Sequence, residues 1–280
     1  MKFVAVGDVL VDVVCSELPR PNERVHAEVF LRAGGSAVNA AAGAASAGAS
    51  ATVVGRVGSD SAAELVAADL EELGISAQLA RDDELPTGVA VSLGADPTSP
   101  SVVANRGANA RLSPEDIPDV LRADALFVSG FALFQTGSSA GARTAWDRFD
   151  GAWAGLDLSS PRLAEAARDS DFGDAGRTRT VVLATADEAR AITGKEPEEA
   201  VRILASRFSV ACVKLGEQGA VAAAGDRVER SAADPVVRRS PFGPGDAFGA
   251  VLLVALASDA SLQDALDLAC EAGARAASHR

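Results

Sequence analysis

The chain has 280 residues, of which 48% are hydrophobic and 23% charged, a composition typical of folded globular proteins. Its net charge of −13 repels phosphate backbones and anionic lipid, so we expect neither nucleic acid nor a membrane as partner. The three cysteines predict no disulfide framework, and no signal-peptide pattern or bilayer-length apolar run is present, which together predict a cytoplasmic protein.

Short runs rich in β-branched residues alternate along the chain with alanine-rich segments of helical periodicity. This alternation predicts βα units around a mostly parallel sheet within a single α/β domain covering residues 1–280. The predicted strands lie at residues 3–6, 52–57, 125–128, 181–183 and 210–215. The predicted helices lie at residues 37–47, 61–73, 138–149, 161–169, 186–192, 197–208, 245–257 and 262–277.

Two stretches interrupt the alternation, at about residues 9–32 and 88–105. The second contains an apolar run at residues 89–93 that suits a strand, followed by the turn sequence Gly94-Ala95-Asp96-Pro97. We predict that the two stretches form a small β lid beside the main sheet. Their Pro, Asp and Ser content equally suits plain surface loops.

A glycine-rich loop, Ser240-Pro241-Phe242-Gly243-Pro244-Gly245-Asp246, precedes the apolar helix predicted at residues 245–257. Its glycines allow the backbone to turn and to present N–H groups at the positive end of the helix, which favours an anion. A carboxylate at that place suits a base that removes a proton from an attacking hydroxyl while the N–H groups stabilise a transferring phosphoryl group. The alternative is that Asp246 is a first-turn residue that interacts favourably with the helix dipole.

Two other phosphate-binding motifs fit less well. The glycine spacing from Gly243 to Gly249 is close to a dinucleotide fingerprint, but that motif belongs in a first βα unit, and too few residues follow here. No segment matches the P-loop pattern of Gly-x4-Gly-Lys-Ser/Thr.

The glycine loop resembles the second signature of the ribokinase (PfkB) family, and other segments resemble that family in the same order along the chain. They are Gly7-Asp8-Val9-Leu10-Val11-Asp12, Gly34-Gly35-Ser36-Ala37-Val38-Asn39, Arg106-Gly107-Ala108-Asn109 and Val213-Lys214-Leu215-Gly216-Glu217-Gln218-Gly219. The resemblance implies a ribokinase-like three-layer α/β/α fold with a small β lid. It also implies an ATP-dependent sugar kinase that uses Mg²⁺, acts on a small-molecule sugar and forms a homodimer through the lid.

The resemblance also implies roles for individual residues. Asp246 is the catalytic base, and Gly243, Pro244 and Gly245 form the anion hole. The substrate-binding residues are Asp8, Asp12, Gly34, Gly35, Asn39, Arg106 and Asn109. The nucleotide-binding residues are Thr185, Lys214, Gly216 and Gly219, and Glu188 helps to organise Mg²⁺. The alternatives for Asp12, Asn39 and Glu188 are a loop carboxylate, a helix-interior amide and a helix-capping residue.

The chain departs from the family pattern at several of these positions. Ser240 and Pro241 replace an Asp-Thr pair whose Asp commonly helps to hold a monovalent cation, so the case for such a cation is weak. Pro244 lacks an N–H and removes one donor from the anion hole, and Thr185 replaces an Asn. Two alternatives therefore stay open beside the sugar kinase, namely a nucleoside kinase and a sugar-binding regulatory protein with impaired catalysis.

Overall fold

The computed structural model describes residues 1–17, 20–93, 101–168, 179–237, 240 and 242–278. The predicted turn at Gly94-Ala95-Asp96-Pro97 and the loop residue Pro241 lie outside the described residues. Asp169, the predicted end of one helix, lies outside them as well.

The strands of the described residues are β1 (Lys2–Val6), β2 (Leu10–Cys15), β3 (Val29–Gly34), β4 (Ser50–Gly58), β5 (Ser76–Asp82), β6 (Gly88–Leu93), β7 (Ser101–Asn105), β8 (Leu121–Arg122), β9 (Ala125–Ser129), β10 (Phe149–Asp150), β11 (Trp153–Asp157), β12 (Arg179–Thr185), β13 (Val210–Lys214), β14 (Ala220–Ala224) and β15 (Arg227–Ser231). The α-helices are α1 (Ser36–Ser46), α2 (Ser61–Glu72), α3 (Gly130–Leu133), α4 (Ser139–Asp147), α5 (Pro161–Ala167), α6 (Ala186–Thr193), α7 (Pro197–Ala205), α8 (Pro244–Ala257) and α9 (Leu262–Ser278).

The main sheet has the strand order β15-β14-β13-β12-β11-β9-β1-β4-β5. Its strands from β13 to β5 are paired in parallel, and only β14 and β15 are antiparallel to their neighbours. Side chains of a strand alternate between the two faces of a sheet. In β1, Phe3 and Ala5 accordingly enter one apolar core while Val4 and Val6 enter the other.

Helices cover both faces of this sheet. Residues of α1, α8 and α9 belong to one core cluster, and residues of α4, α5, α6 and α7 belong to the other. Both faces of a parallel sheet need such cover because its strands carry apolar residues on both sides. The result is the predicted three-layer α/β/α arrangement with a mostly parallel sheet.

A second sheet lies beside the main one, with the strand order β3-β2-β6-β7. It is built from the two stretches that interrupt the βα alternation, and β2 is antiparallel to β3 but parallel to β6. We call these four strands the small sheet.

The structure adds strands that the sequence analysis did not predict, namely β5, β8, β10, β11, β14 and β15. β11 and β14 are rich in glycine and alanine, with the sequences WAGLD and AVAAA, and Val221 is the one β-branched residue in the two strands. Two predicted helices are also shorter in the structure, where α4 ends at Asp147 and α7 at Ala205. No helix among the described residues is long and apolar enough to cross a bilayer.

Candidate active site

The carboxyl ends of the parallel strands meet at one edge of the main sheet, and polar side chains gather there. Asp157 is the last residue of β11, Thr185 the last of β12 and Lys214 the last of β13. Thr185 and Lys214 are direct partners in the register of their two strands. Ligands of open α/β sheets bind at this edge, so the arrangement marks it as the candidate site.

The glycine loop leads into α8 at the same edge. Gly243 is the N-cap in the left-handed region at φ 92°, Pro244 is the first helical residue, and no side chain of the described residues caps this end. The first N–H groups of a helix have no partner within the helix, and they carry the positive end of its dipole. The N–H groups of Gly245 and Asp246 are therefore placed to receive an anion, whereas Pro244 has none to offer.

Helix α1 packs closely against α8 and carries Asn39 to the base candidate. A Cβ added to Gly43 would lie 2.7 Å from the Cα of Ala247, so only glycine permits this approach of the two helices. At the end of the contact, Asn39 Nδ2 donates a hydrogen bond of 3.1 Å to Asp246 Oδ2. The structure thus brings together two residues that stand 207 positions apart in the chain.

The surroundings of Asp246 raise its pKa from 3.8 to about 7. Burial is the largest cause, and the negative charge of Asp157 adds to it, while the ammonium of Lys214 and the hydrogen bond from Asn39 oppose it. A carboxyl group with this pKa exchanges its proton near neutral pH, which is the property that a general base needs.

Lys214 lies at the centre of the charged groups. Its Nζ donates to Asp157 Oδ2 at 2.5 Å, and a Cβ added to Gly245 would lie 3.3 Å from the same nitrogen. Desolvation would lower the pKa of Lys214, but the charges of Asp157 and Glu188 outweigh it and keep this pKa raised. The ammonium is therefore held in its charged form beside the N-terminus of α8.

Glu188 is buried and takes part in capping α6. The Thr185 N–H donates to Glu188 Oε2 at 2.8 Å, and the Glu188 N–H donates to Thr185 Oγ1 at 3.3 Å, which together form a capping box. Burial and the charge of Asp157 raise the pKa of Glu188. The capping alternative for Glu188 is therefore present in the structure, and its role toward a metal stays a prediction.

Asp12 lies on β2 with 1% of its surface exposed. A Cβ on Gly34 would lie 2.2 Å from the Asp12 carboxyl carbon, so glycine at this position makes room for the carboxyl group. Burial raises the pKa of Asp12 to about 7, against the opposing charge of Arg32. Because the charge of Asp12 in turn raises the pKa of Asp246, the two carboxyl groups belong to one site.

Three of the residues predicted to contact the substrate make hydrogen bonds that hold the structure together. Arg106 Nε and Nη2 donate to the two carboxyl oxygens of Asp8 at 2.8 and 2.7 Å, forming a bidentate pair. Asn109 is buried; its Oδ1 accepts from the Val9 N–H at 2.7 Å, and its Nδ2 donates to the Val9 carbonyl at 2.7 Å. These groups fix the chain after β1 to the end of the small sheet, and the substrate contacts of Asp8, Arg106 and Asn109 stay predictions.

The remaining glycines lie at turns near the site. Gly35 is the N-cap of α1 at φ 91°, next to the backbone of Asp8. Gly216 and Gly219 bracket the turn between β13 and β14, where Gly216 is exposed and Gly219 buried. This turn directly follows Lys214, which leaves the predicted nucleotide contacts at the same edge of the sheet as Asp246.

The sequence analysis missed two residues of this region, Asp157 and Arg32. Asp157 ends an apolar run in the same way as Asp8 does, and recognising β11 as a strand would have found it. Arg32 lies opposite Asp12 in the register of β2 and β3, and its Nη2 donates to Ser240 Oγ at 2.9 Å. Arg32 comes near Asp12 and Ser240 through the strand pairing of the small sheet, and no local sequence pattern signals this.

Comparison with known proteins identifies a family for this chain. A family model described as pfkB family carbohydrate kinase matches residues 1–280. The curated 5-dehydro-2-deoxygluconokinase of Geobacillus kaustophilus (strain HTA426) is 32% identical over 145 residues, which are 49% of this chain. The match spans less than half of that relative, namely 43% of its length.

Solved structures resemble the fold over nearly its whole length. The probable sugar kinase from Rhizobium etli CFN 42 superposes with a TM-score of 0.85 at 23% identity, covering 99% of this chain and 93% of the other. Adenosine kinase from Sinorhizobium meliloti gives 0.83 at 24% identity, covering 97% and 92%. A putative ribokinase II from E. coli in complex with ATP and Mg²⁺ gives 0.83 at 19% identity, covering 100% and 93%. The predicted ribokinase-like fold class is confirmed.

Proposed function

Because the chain belongs to the pfkB family of carbohydrate kinases, we propose that it transfers the γ-phosphoryl group of ATP to a hydroxyl group of a monosaccharide or sugar acid. One observation carries this proposal. Asp246 has a pKa of about 7, lies in the first turn of the uncapped helix α8, and is held by Asn39. A base and an anion site thus lie side by side.

In the proposed reaction Asp246 accepts the proton of the acceptor hydroxyl as that oxygen attacks phosphorus. Asn39 holds one carboxyl oxygen and leaves the other for the substrate. The N–H groups of Gly245 and Asp246 with the dipole of α8 stabilise the negative charge on the transferring phosphoryl oxygens. Lys214 adds a full positive charge next to Gly245, and Gly243 allows the sharp turn that orients these groups.

The residues at this edge also fit ATP and Mg²⁺. Magnesium prefers oxygen ligands and is commonly held by one or two carboxylates together with substrate phosphates and water. Glu188 and Asp157 are two buried carboxyl groups at this edge, and the charge of Asp157 adds to burial in raising the pKa of Glu188. We propose that these two hold Mg²⁺, which would neutralise phosphate charge, and that Thr185 with the turn from Gly216 to Gly219 contacts the nucleotide.

The acceptor is proposed to lie between Asp12, Asn39 and Asp246, next to Gly34 and Gly35. A ribose, fructose or 2-keto-3-deoxygluconate type of acceptor is supported by the similarity to a 5-dehydro-2-deoxygluconokinase. The similarity in fold to an adenosine kinase keeps nucleosides in the test panel.

We further propose that two copies of the chain pair through their small sheets, as the lid prediction implies. Strands β3 and β7 form the two edges of the small sheet, and both carry exposed apolar residues. Leu31 is 58% exposed and Val103 is 66% exposed. Exposed apolar edge strands need a cover, and a second copy supplies one.

The test of the kinase proposal is the substitution Asp246→Asn. ADP formation from ATP should be followed with ribose, fructose, 2-keto-3-deoxygluconate and adenosine, and we expect a fall of about 100- to 10,000-fold in kcat with acceptor binding retained. The control is Asp259→Asn, an exposed aspartate just beyond the other end of the same helix. Full turnover by the Asp246→Asn variant would remove Asp246 from the mechanism.

The same assay decides between the kinase and an impaired sugar-binding protein. Pro244 withholds one N–H from the anion site, which favours the impaired alternative. Acceptor binding measured by calorimetry, without turnover at any Mg²⁺ concentration, would support that alternative and refute the proposed function.

A further inference from the structure

The main sheet has an open face at the corner formed by β1, β4 and β5. Helices α1 and α2 pack on one side of β4 and β5, and their residues belong to the core cluster that also includes α8. On the other side, Val54 is the one residue of β4 in the second core cluster, and no described residue of β5 belongs to it. Parallel strands usually have both faces covered, so this open corner needs a reason.

A cleft of about 580 Å³ lies on this open corner. Sheet residues bound it on one side, and the segment of residues 118–122 bounds it on the other. Small-molecule sites have volumes of roughly 300–1,000 Å³, so the cleft has the size of a ligand site. Its polar lining residues are Lys2, Ser50, Thr52, Gln78, Asp119 and Arg122.

The polar residues of the sheet stand in successive rows across the three strands. Lys2 and Ser50 are partners in the register of β1 and β4, and Thr52 lies one row further along β4. Gln78 pairs with Val54, which lies one row beyond Thr52. Residues two positions apart share a face of the sheet and lie about 7 Å apart, so the three rows extend over roughly 13 Å. A covered parallel sheet carries apolar residues at such positions, so the polar side chains suit contact with a polar molecule instead of a helix.

The lining of the cleft carries more positive than negative charge. The Lys2 ammonium has no hydrogen bond or ion pair within the described part of the chain. Arg122 adds a second positive charge, and its contact with Asp150 is an exposed pair at 3.6 Å, which is worth little in water. Asp119 is the one acidic residue of the lining. The cleft therefore attracts an anionic group, although the net charge of the chain is −13.

Thr52 and Gln78 supply uncharged donors and acceptors. Neither side chain has a hydrogen-bond partner within the ranges that the structure describes, and Thr52 is half-buried. A hydroxyl group and a primary amide each donate and accept, which suits the hydroxyl groups of a polyol. Phe3 is the one aromatic residue of the lining and is fully buried, so the cleft offers no ring on which a nucleotide base could stack.

We propose that the cleft binds a small polyol that carries one anionic group, such as a sugar phosphate or a sugar acid. Lys2 binds the anionic group, and Thr52 and Gln78 contact the hydroxyl groups. The cleft lies at the amino halves of β4 and β5, whereas Asp246 lies at the carboxyl edge of the sheet. This is therefore a second site, which shares no residue with the candidate active site. The inference does not rest on the proposed function.

The test is methyl NMR of the full chain, titrated separately with ribose 5-phosphate and with gluconate. The signals of Val4, Val54 and Leu121, which line the cleft, should shift with one or both of these probes. Leu10 adjoins Gly35 in the candidate active site and reports binding there separately. Ribose, glucitol and inorganic phosphate each carry only part of the chemistry, so they should bind the cleft about 10-fold or more weakly than the tighter anionic polyol.

Two variants assign the contacts. Lys2→Met should weaken binding at the cleft about 10-fold or more, because a hydrogen bond between charged groups is lost. Thr52→Val keeps the shape of the side chain and should weaken binding about 3- to 10-fold. Neither should change the response of Leu10. Lys195→Met is the matched control, since Lys195 lies outside the cleft and its side chain is 47% exposed.

Any of four results overturns the inference. They are unshifted signals of Val4 and Val54 with both anionic polyols, equally tight binding of ribose or glucitol, equally tight binding of inorganic phosphate alone, and an unchanged affinity of the cleft in either variant. Shifts at the cleft without kinase turnover would leave this inference standing and count against the proposed function. Turnover without shifts at the cleft would do the reverse.

Discussion

The raised pKa of Asp246 predicts that the base lowers the stability of the fold at the pH where it works. The pKa is 3.8 in the ordinary state and about 7 in the folded protein. Because the folded value is the higher one, the stability contributed by the protonated acid is fully present below pH 3.8 and is lost as pH rises from there to about 7. Asparagine has a similar shape, no charge, and an oxygen that can still accept from Asn39.

The magnitude follows from the two pKa values. Their difference corresponds to roughly 4 kcal/mol at full burial, because each pKa unit is worth about 1.4 kcal/mol. Asp246 is only half-buried, so solvent screening reduces the expected effect to about 1–3 kcal/mol. We expect the stability advantage of Asp246→Asn over the wild type to be smallest near pH 4, to grow as pH rises to about 7, and to reach that amount near pH 8.5.

The assay is urea unfolding of both proteins across this pH range. Asp12, whose pKa is also raised to about 7, is present in both, so the difference between the proteins isolates Asp246. Asp259→Asn should show no pH-dependent difference from wild type. Either of two results would refute a raised pKa for the buried carboxyl group of Asp246. One is a stability difference that stays constant with pH, and the other is an Asp246→Asn variant that is less stable than the wild type near pH 8.5.

Two further predictions concern Lys214, which lies near Asp246, and the exposed edge of the small sheet. Lys214→Met removes the positive charge that lowers the pKa of Asp246. The rising limb of the plot of kcat/KM against pH should therefore shift to higher pH by about one pH unit or more. A limb that stays at the same pH would contradict Asp246 as the base. Val103→Asp places a charge on the exposed apolar edge of the small sheet and should convert a dimer into a monomer, as measured by light scattering after gel filtration. The control Val237→Asp, at a residue that is 76% exposed, should leave the dimer intact. A monomeric wild type would contradict the proposed pairing.

The site could be predicted from the sequence where its chemistry is local. The glycine loop, the helix that follows it and the carboxylate in its first turn are consecutive, and the structure has them as α8 with its glycine N-cap. Asn39 was predicted because its segment resembles a family signature, and that resemblance does not show what the amide contacts. In the structure the small residues of α1 let that helix approach α8 and bring the amide to Asp246.

Other parts of the site depend on which strands are neighbours, and the sequence pattern does not contain that information. Asp157 acts through Lys214, which lies 57 positions further along the chain. Asp8 and Arg106 were predicted as ligand contacts because their segments resemble segments of the family. In the structure they neutralise each other, which local patterns cannot reveal.

Where the glycine loop departs from its family pattern, other chain segments bring positively charged groups to it. Pro244 removes an N–H from the start of α8, yet the ammonium of Lys214 lies next to Gly245 and supplies a charged donor from another strand. Ser240 carries no charge, yet it accepts a hydrogen bond from the guanidinium of Arg32. A charged donor forms stronger hydrogen bonds to an anion than a neutral N–H does. We therefore expect anion binding at the loop to depend on three chain segments together, and a comparison of loop sequences alone to underestimate it.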